Sequence, residues 1–237
     1  GVFFIFVVGA VMYATRALPP PMLQSLMNYD AATAGLVSAP SGVGTMIAMM
    51  VVGRLIGRFD VRVLLVTGFL ISAFALWQMT HYSLVLSQSD IVWPGVVQGF
   101  GLGLVFVPLS SVTFSTLSGE LRSDGTAIYS LMRNIGSSIG ISVVQTFITR
   151  NTQVAHASLV AHVSVYDPVV QSQVDLHSPG AIALLDMQIT QQAAMIAYID
   201  DFKLMFIATL LVIPLLAIIR PARRSRASPA DAHVAMD

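Results

Sequence analysis

The chain has 237 residues, of which 55% are hydrophobic and 10% are charged, and its formal net charge is zero. A soluble domain is typically about 25% charged, so this chain has too little charge for an ordinary water-facing surface, and a lipid bilayer suits it better as solvent. Zero net charge gives no basic surface for nucleic acid, and the lack of cysteine excludes disulfides, thiol catalysis and cysteine-ligated zinc. The sequence also contains no zinc pattern, phosphate loop or paired nucleophile and base, so we predict no enzyme activity, metal or cofactor.

Six apolar segments are long enough to cross a bilayer, for which a helix needs about 20 residues. They cover roughly residues 2–26, 34–56, 61–81, 91–117, 126–148 and 202–219. A long polar stretch from about 150 to 200, with a moderately helical pattern near 181–199, separates the last two. The basic tail, 221–237, is rich in Arg, Ala and Ser, and we expect it to be disordered.

Basic residues are distributed unequally between the two sides of the predicted bundle. If the link 57–62 is cytoplasmic, strict alternation of the spans places eight of them inside: Arg54, Arg58, Arg62, Arg122, Arg220, Arg223, Arg224 and Arg226. The other side carries Arg150 and Lys203. Because basic residues favour the cytoplasmic side, we expect both ends of the chain inside and the loop at about 150–200 outside.

The six predicted spans differ in polarity. The third and sixth hold few polar residues, whereas the fourth and fifth hold many, among them Gln98, Arg133 and Asn134. Polar groups are costly in hydrocarbon, so we expect spans 1, 2, 4 and 5 to be central and spans 3 and 6 to face lipid. The predicted fold class is an all-α membrane protein with six transmembrane helices. They would form a three-plus-three inverted repeat, because the first triple starts inside and the second starts outside.

Glycines recur every four positions in several of the spans. A face of small residues lets two helix backbones approach closely, so we expect helix packing at these positions. The glycines are Gly53 and Gly57, then Gly95, Gly99 and Gly103, then Gly136 and Gly140.

The link between the second and third spans resembles the loop signature of the major facilitator superfamily, G-x-L-x-D-R-x-G-R-[KR]. Gly53, Leu55, Arg58 and Arg62 match four of its positions. Gly57 stands where the family has Asp, so the resemblance does not extend to an acidic–arginine latch. The match falls at the turn that the charge distribution independently assigns to the cytoplasm.

Longer motifs resemble EmrB/QacA-type exporters within that superfamily. Residues 98–103 and 106–111 resemble the fourth helix of their C-terminal half, and residues 132–140 resemble the fifth. Residues 34–40 and 189–193 also fit, so the resemblance covers almost the whole chain, short of the basic tail. It implies the C-terminal half of a fourteen-span drug:proton antiporter.

The resemblance also implies a function and partners. Such an exporter moves hydrophobic small-molecule substrates by alternating access in the bacterial inner (cytoplasmic) membrane, powered by the proton gradient and without a cofactor. The chain begins at Gly1 directly before an apolar segment, so we expect the N-terminal half of the same protein to be missing. EmrB-like members in Gram-negative bacteria work with a periplasmic adaptor and an outer-membrane channel, which are the further expected partners.

Such an exporter should have a broad apolar cavity between its two halves. Flexible methionines and aromatic rings suit varied hydrophobic substrates. The candidate lining residues are Met12, Tyr13, Phe106, Tyr129 and Met132. The alternative is that these residues simply pack the bundle.

Four polar residues inside the spans are further candidates. Arg133, with Asn134 beside it, is interpreted as a cavity or gating cation, and the alternative is an arginine that reaches for the interface or for nearby carbonyls. Arg16 would tune which charged drugs bind, or would instead reach the outer face. Gln98 could bind substrate, although a hydrogen bond to a neighbouring helix is the commoner role of a buried amide.

No Asp or Glu lies deep within a predicted span, although a proton-coupled carrier needs a protonatable group in the membrane. Asp200 and Asp201 stand at the start of the sixth span, where Asp commonly caps a helix rather than carrying protons. We therefore hypothesise that the coupling carboxylate belongs to the N-terminal half. Two other functions stay open: an exporter of one metabolite, such as a siderophore or antibiotic, and a non-transporting membrane scaffold.

Overall fold

The computed structural model describes residues 2–114, 121–162 and 179–216. Helices make up the regular structure of these ranges, and no strand occurs in them. In lipid, a helix satisfies its backbone N–H and C=O groups internally, so helices are what an apolar chain of this composition should form. The all-helical part of the predicted fold class is confirmed.

Several of the predicted spans consist of shorter helices placed end to end. In chain order the elements are α1 (Val2–Val8), a π segment (Gly9–Tyr13), α2 (Ala14–Ala17), α3 (Pro19–Leu26), α4 (Ala31–Ser38), α5 (Pro40–Leu55), α6 (Val61–Met79), α7 (Gln88–Phe114), α8 (Arg122–His162) and α9 (Pro179–Leu215). Proline has no backbone N–H to donate, which is why α3 and α5 each begin at a proline.

Four helical rods in the described ranges are long and apolar enough to cross a membrane. They are Phe3–Leu26, Ala31–Leu55, Val61–Met79 and Gln88–Phe114, which correspond to the first four predicted spans. We call the first of them, α1 to α3 with the π segment, the first rod. Helices α8 and α9 stand at the fifth and sixth positions, but many polar side chains occur in α8, and α9 carries Asp200, Asp201 and Lys203 where its apolar stretch begins. The six-span repeat therefore stays a prediction.

Helices α8 and α9 extend well beyond the predicted spans. Helix α8 has 41 residues and α9 has 37, so the stretch predicted as a loop at about 150–200 is helical at both ends. The middle of that stretch, the link before Leu121 and the basic tail lie outside the described residues. His156 Nε2 and Asp186 Oδ1, 3.1 Å apart, join the two extensions. The loop prediction is corrected because the helical pattern near 181–199 continues into the last apolar segment without a helix stop.

Helix α7 packs on both α5 and α6, while α8 packs on the first rod and on α9, which in turn packs on α6. One buried cluster includes Leu18, Met22 and Phe202, and a second includes Ile5, Phe69 and Leu109. The loop signature lies at the turn between α5 and α6, with Gly53 and Leu55 at the end of α5, Arg58 in the link and Arg62 in the first turn of α6.

Glycines on α7 allow its close contact with α5. A Cβ on Gly99 would collide with the carbonyl oxygen of Ser41, and one on Gly103 would lie 2.7 Å from the carbonyl oxygen of Thr45. At Gly95, by contrast, a Cβ would meet only the Cβ of Ser41 at an ordinary 3.8 Å. Two of the three predicted α7 glycines therefore stand where a larger residue does not fit.

The same device joins α8 to the first rod. A Cβ on Gly136 would collide with the carbonyl oxygen of Phe6, and one on Gly140 would collide with that of Ala10. Backbone atoms cannot move aside as the end of a flexible side chain can, so these contacts depend on glycine. Helix α8 therefore has one face fixed against the first rod.

Substituting Gly99 should destabilise the bundle. Because the added methyl group of Gly99→Ala would overlap a carbonyl oxygen of the facing helix, we expect a loss of roughly 1–3 kcal/mol in stability. The measurement is the midpoint of thermal unfolding of the purified protein in detergent. Gly53→Ala is the matched control, since a Cβ there meets nothing within 4 Å. Equal midpoints for the two variants would contradict the assignment.

Candidate functional site

Arg133 on α8 is half-buried and lies between two aromatic rings. Its guanidinium carbon is 5.9 Å from the centre of the Tyr13 ring and 5.8 Å from that of Phe106. A cation near an aromatic face is attracted by the electron-rich ring, more strongly where water is excluded. No described carboxylate forms an ion pair with Arg133, so these two rings are its identified electrostatic partners.

The π segment places Tyr13 against Arg133. A Cβ on Gly9, the first residue of the segment, would lie 2.5 Å from the carbonyl oxygen of Arg133, so glycine is what lets the two backbones meet there. Tyr13, the last residue of the segment, then lies near the guanidinium. Single π turns inside α-helices are frequent at functional sites. Gly9 was not among the glycines predicted to pack helices, because no second glycine lies four residues from it.

The other predicted cavity residues fall into two groups. Phe106 and Met132 are partly exposed and Asn134 is exposed, so all three are accessible in this half. Met12 and Tyr129 are only 2% and 4% exposed and belong to the core of the bundle. For those two residues the packing alternative describes their surroundings better.

A separate cavity of about 170 Å³, the Arg16 pocket, lies between the first rod, α4 and α5, the end of α6 and the first half of α7. The Arg16 Nη2 donates a hydrogen bond to Ser41 Oγ at 2.8 Å, and Ser41 Oγ donates to the Ser38 carbonyl oxygen at 2.7 Å. Gln98 lines the same cavity. Two of the predicted site residues, Arg16 and Gln98, are therefore brought together, and Arg133 is not among the residues that line this pocket.

Three buried polar atoms of the Arg16 pocket have no hydrogen-bond partner: Gln98 Nε2, the Tyr82 hydroxyl and the Ser38 hydroxyl. Gln98 is only 4% exposed, and its Nε2 does not make the interhelical bond expected as the alternative role. Burial raises the pKa of Tyr82, so its hydroxyl remains a neutral hydrogen-bond donor. The Arg16 pocket thus contains a guanidinium group and three unpartnered polar atoms that could form hydrogen bonds with a ligand.

Asp201, which was predicted from the sequence to cap the last helix, is a further candidate functional residue. Helix α9 begins at Pro179, so Asp201 lies in the helix interior and cannot cap its start. The side chain is 0% exposed, and neither carboxylate oxygen has a hydrogen-bond partner. Ala197, Asp201 and Met205 are spaced four apart and all are buried, so they lie on one covered face of α9.

The neighbouring Asp200 is in a different environment. Its Oδ1 accepts from the Nζ of Lys203 at 3.0 Å, and both side chains are substantially exposed. Within the described ranges, no three His, Asp or Glu side chains meet in a group that would hold a metal ion.

The four apolar rods of membrane length in the described ranges, with a polar pocket between helices, indicate a multi-pass membrane protein. Residues 1–153 match the family described as the Major Facilitator Superfamily. The chain belongs to that superfamily, as its loop signature predicted.

The chain is also similar to curated proteins whose names refer to resistance or to multidrug export. It is 26% identical to the fatty acid resistance protein FarB of Neisseria gonorrhoeae over 90% of this chain and 43% of that protein. It is 27% identical to the probable multidrug resistance protein EmrY of Escherichia coli K12, over 92% and 43% of the two chains. It is 28% identical to the multidrug export protein EmrB of Haemophilus influenzae, over 89% of this chain and 42% of that protein. The predicted resemblance to EmrB-type exporters is confirmed, and the chain spans less than half the length of these relatives.

Removing the charge of Arg133 should impair export by the complete protein. A desolvated cation–π contact is worth up to about 2 kcal/mol, so we expect Arg133→Ala to lower the efflux rate about tenfold or more at near-normal membrane abundance. Arg133→Lys keeps the charge without the planar guanidinium, so its efflux rate should lie between those of wild type and Arg133→Ala. The measurement is dye efflux from energised cells, with the exposed Arg150→Ala as control. Wild-type efflux in Arg133→Ala would remove this residue from the mechanism.

Proposed function

We propose that this chain is the C-terminal half of a proton-coupled exporter that expels hydrophobic drugs or other toxic small molecules by alternating access. Membership of the Major Facilitator Superfamily supports transport, and the names of the relatives, which refer to multidrug and fatty acid resistance, support export of hydrophobic compounds. Because the chain spans about two fifths of these relatives, we propose that the missing part carries a second bundle. The two halves would rock about a cavity between them.

A polar stripe on α8 is the observation that carries this proposal. Asn134, Ser138, Ser142 and Gln145 follow one another at helical spacing, and all four are exposed in this half. The opposite face of α8 packs on the first rod. Polar side chains in a membrane face protein or water rather than lipid tails, so we propose that the stripe lines the cavity between the halves. Arg133 directly precedes the stripe and would lie at its edge.

Two of the helix contacts agree with the proposed inverted repeat. If each helix of the first triple corresponds to one of the second, the pair formed by spans 2 and 4 is equivalent to the pair formed by spans 5 and 1. Helix α5 packs on α7, and α8 packs on the first rod, as this exchange requires. We propose the inner membrane as the location and the cytoplasm for both chain ends. We also propose a periplasmic adaptor and an outer-membrane channel as partners of the complete protein, because the resemblance to EmrB-like exporters implies them.

Asp201 gives the proposed proton coupling a candidate group within this half. An unpaired carboxyl group in apolar surroundings is held at lower free energy when it carries a proton, because charging it there without a cation is costly. A conformational change that brings water or a cation to the group would reverse that preference. We therefore propose Asp201 as a coupling group within this half, which departs from the hypothesis that the coupling carboxylate belongs to the N-terminal half.

The proposed function is tested with the complete protein in a strain that lacks its own major pumps. It should raise resistance to several chemically unrelated hydrophobic compounds, and an uncoupler that collapses the proton gradient should abolish the effect. Protection against one compound alone would favour the dedicated metabolite exporter. Absence of any energy-dependent efflux would favour the non-transporting scaffold.

Replacing Asp201 by Asn should uncouple export from the proton gradient. Asparagine has nearly the same shape and no charge, so the bundle should assemble while the protonatable group is lost. The measurement is pH-gradient-driven dye uptake into inverted membrane vesicles, which should be abolished. Asp200→Asn is the control, because Asp200 is exposed and paired with Lys203. If Asp201→Asn retained full proton-driven uptake, coupling would have to reside elsewhere in the complete protein.

A further inference from the structure

The Arg16 pocket contains a positive charge that no acidic group among the described residues neutralises. Arg16 is half-buried, and the bond to Ser41 Oγ is the hydrogen bond that the structure gives its side chain. A guanidinium group has five N–H donors in a rigid fork, so most of them stay available. No carboxylate is found among the described residues that line the pocket. The nearby carboxylate of Asp90 accepts hydrogen bonds from Ser87, at 3.0 Å from its N–H and 2.7 Å from its hydroxyl.

Further hydrogen-bond donors face the same space. The Nε2 of Gln98 and the hydroxyl of Tyr82 are buried without partners, and both side chains line the cavity. Buried donors are costly to leave unpaired, so a site that gathers them with a cation is suited to an acceptor-rich group. The planar fork of an arginine matches the two oxygens of a carboxylate particularly well.

The remaining walls of the pocket are apolar. Val37, Met79 and Ile91 line it, as do Pro19 and Pro20 of the first rod. A small polar anion would leave these side chains unused, whereas a hydrocarbon tail would contact them. The ligand that uses both surfaces has a carboxylate at one end and an apolar chain at the other.

We propose that the Arg16 pocket is a binding site for the carboxylate head of amphipathic anions, with Arg16 and Gln98 as the residues that bind the head. The site deepens the proposed export function, because it names a class of substrate. It lies between helices of this half, apart from the α8 stripe that we assign to the cavity between the halves. Cationic amphiphiles are disfavoured in this pocket, because their charge would meet the guanidinium.

The first test compares two probes with the same tail and opposite heads, laurate and dodecyltrimethylammonium, in cells that express the complete protein. Arg16→Gln should remove most of the resistance to laurate, whereas resistance to dodecyltrimethylammonium should stay within about twofold of wild type, because only the anion needs the guanidinium. Arg16→Lys should restore part of the laurate resistance, since it keeps the charge. Arg54→Gln, at an exposed arginine of α5, is the matched control and should behave as wild type.

The second test measures binding of laurate to the purified complete protein, independently of transport. We expect Arg16→Gln to raise the dissociation constant about tenfold, the loss of a charge-assisted hydrogen-bonded pair, and Gln98→Leu to raise it by a smaller factor. Phosphatidylglycerol is added as a competitor, because a membrane lipid also offers an anionic head and apolar tails.

The outcomes separate the pocket from the wider function. If resistance to neither probe is conferred but laurate binds through Arg16, the export proposal fails and the pocket assignment stands. If cells resist dodecyltrimethylammonium while laurate neither binds nor responds to Arg16→Gln, export stands and the pocket assignment is wrong. An equal effect of Arg16→Gln on both probes would also overturn it, because the residue would then be structural. Displacement of laurate by phosphatidylglycerol at equal concentration would assign the pocket to a lipid rather than a substrate.

Discussion

The close backbone contact between α5 and α7 at Gly99 governs the arrangement around it. Without a Cβ at that position, the carbonyl of Ser41 can pack against α7, and the Thr45 hydroxyl donates to the Gly99 carbonyl oxygen at 2.9 Å. The same contact fixes Ser41, which accepts from Arg16, and it places Gln98 beside them. Lipid tails are as apolar as the side chains, so close packing and hydrogen bonds of this kind, rather than hydrophobic burial, hold membrane helices together.

The contact between α8 and the first rod also depends on glycine, but it leaves a polar face of α8 uncovered. Gly136 and Gly140 fix one face of α8, which leaves the polar stripe that begins at Asn134 uncovered on the other. Arg133 precedes the stripe, and its guanidinium lies near the rings of Tyr13 and Phe106. The bundle therefore combines a rigid internal packing with one polar surface that this half does not cover.

Composition and periodicity predicted the helical class, the first four membrane rods and the glycine contact at Gly99, because each depends on local properties that a single segment displays. The environment of Asp201 and the role of Gly9 were not predicted, since both depend on which helix lies opposite. The sequence also placed the start of the last helix too late. An apolar window identifies the part of a helix that suits lipid, whereas Pro179, where α9 begins, is separated from that window by polar turns. Hydropathy thus located the part of the helix that suits the bilayer, and not the residue at which the helix begins.

The π segment Gly9–Tyr13 has a consequence for how the first rod is wound. A π turn holds one residue more than an α turn, so the chain beyond it is out of phase by about 100° with an uninterrupted α-helix. Gly9, which meets α8, precedes the phase shift, and Arg16, which meets Ser41, follows it. If the same residues were wound as a continuous α-helix, Arg16 would turn away from α5 while the crossing with α8 stayed in register. The π segment thus sets the direction in which Arg16 points from the first rod.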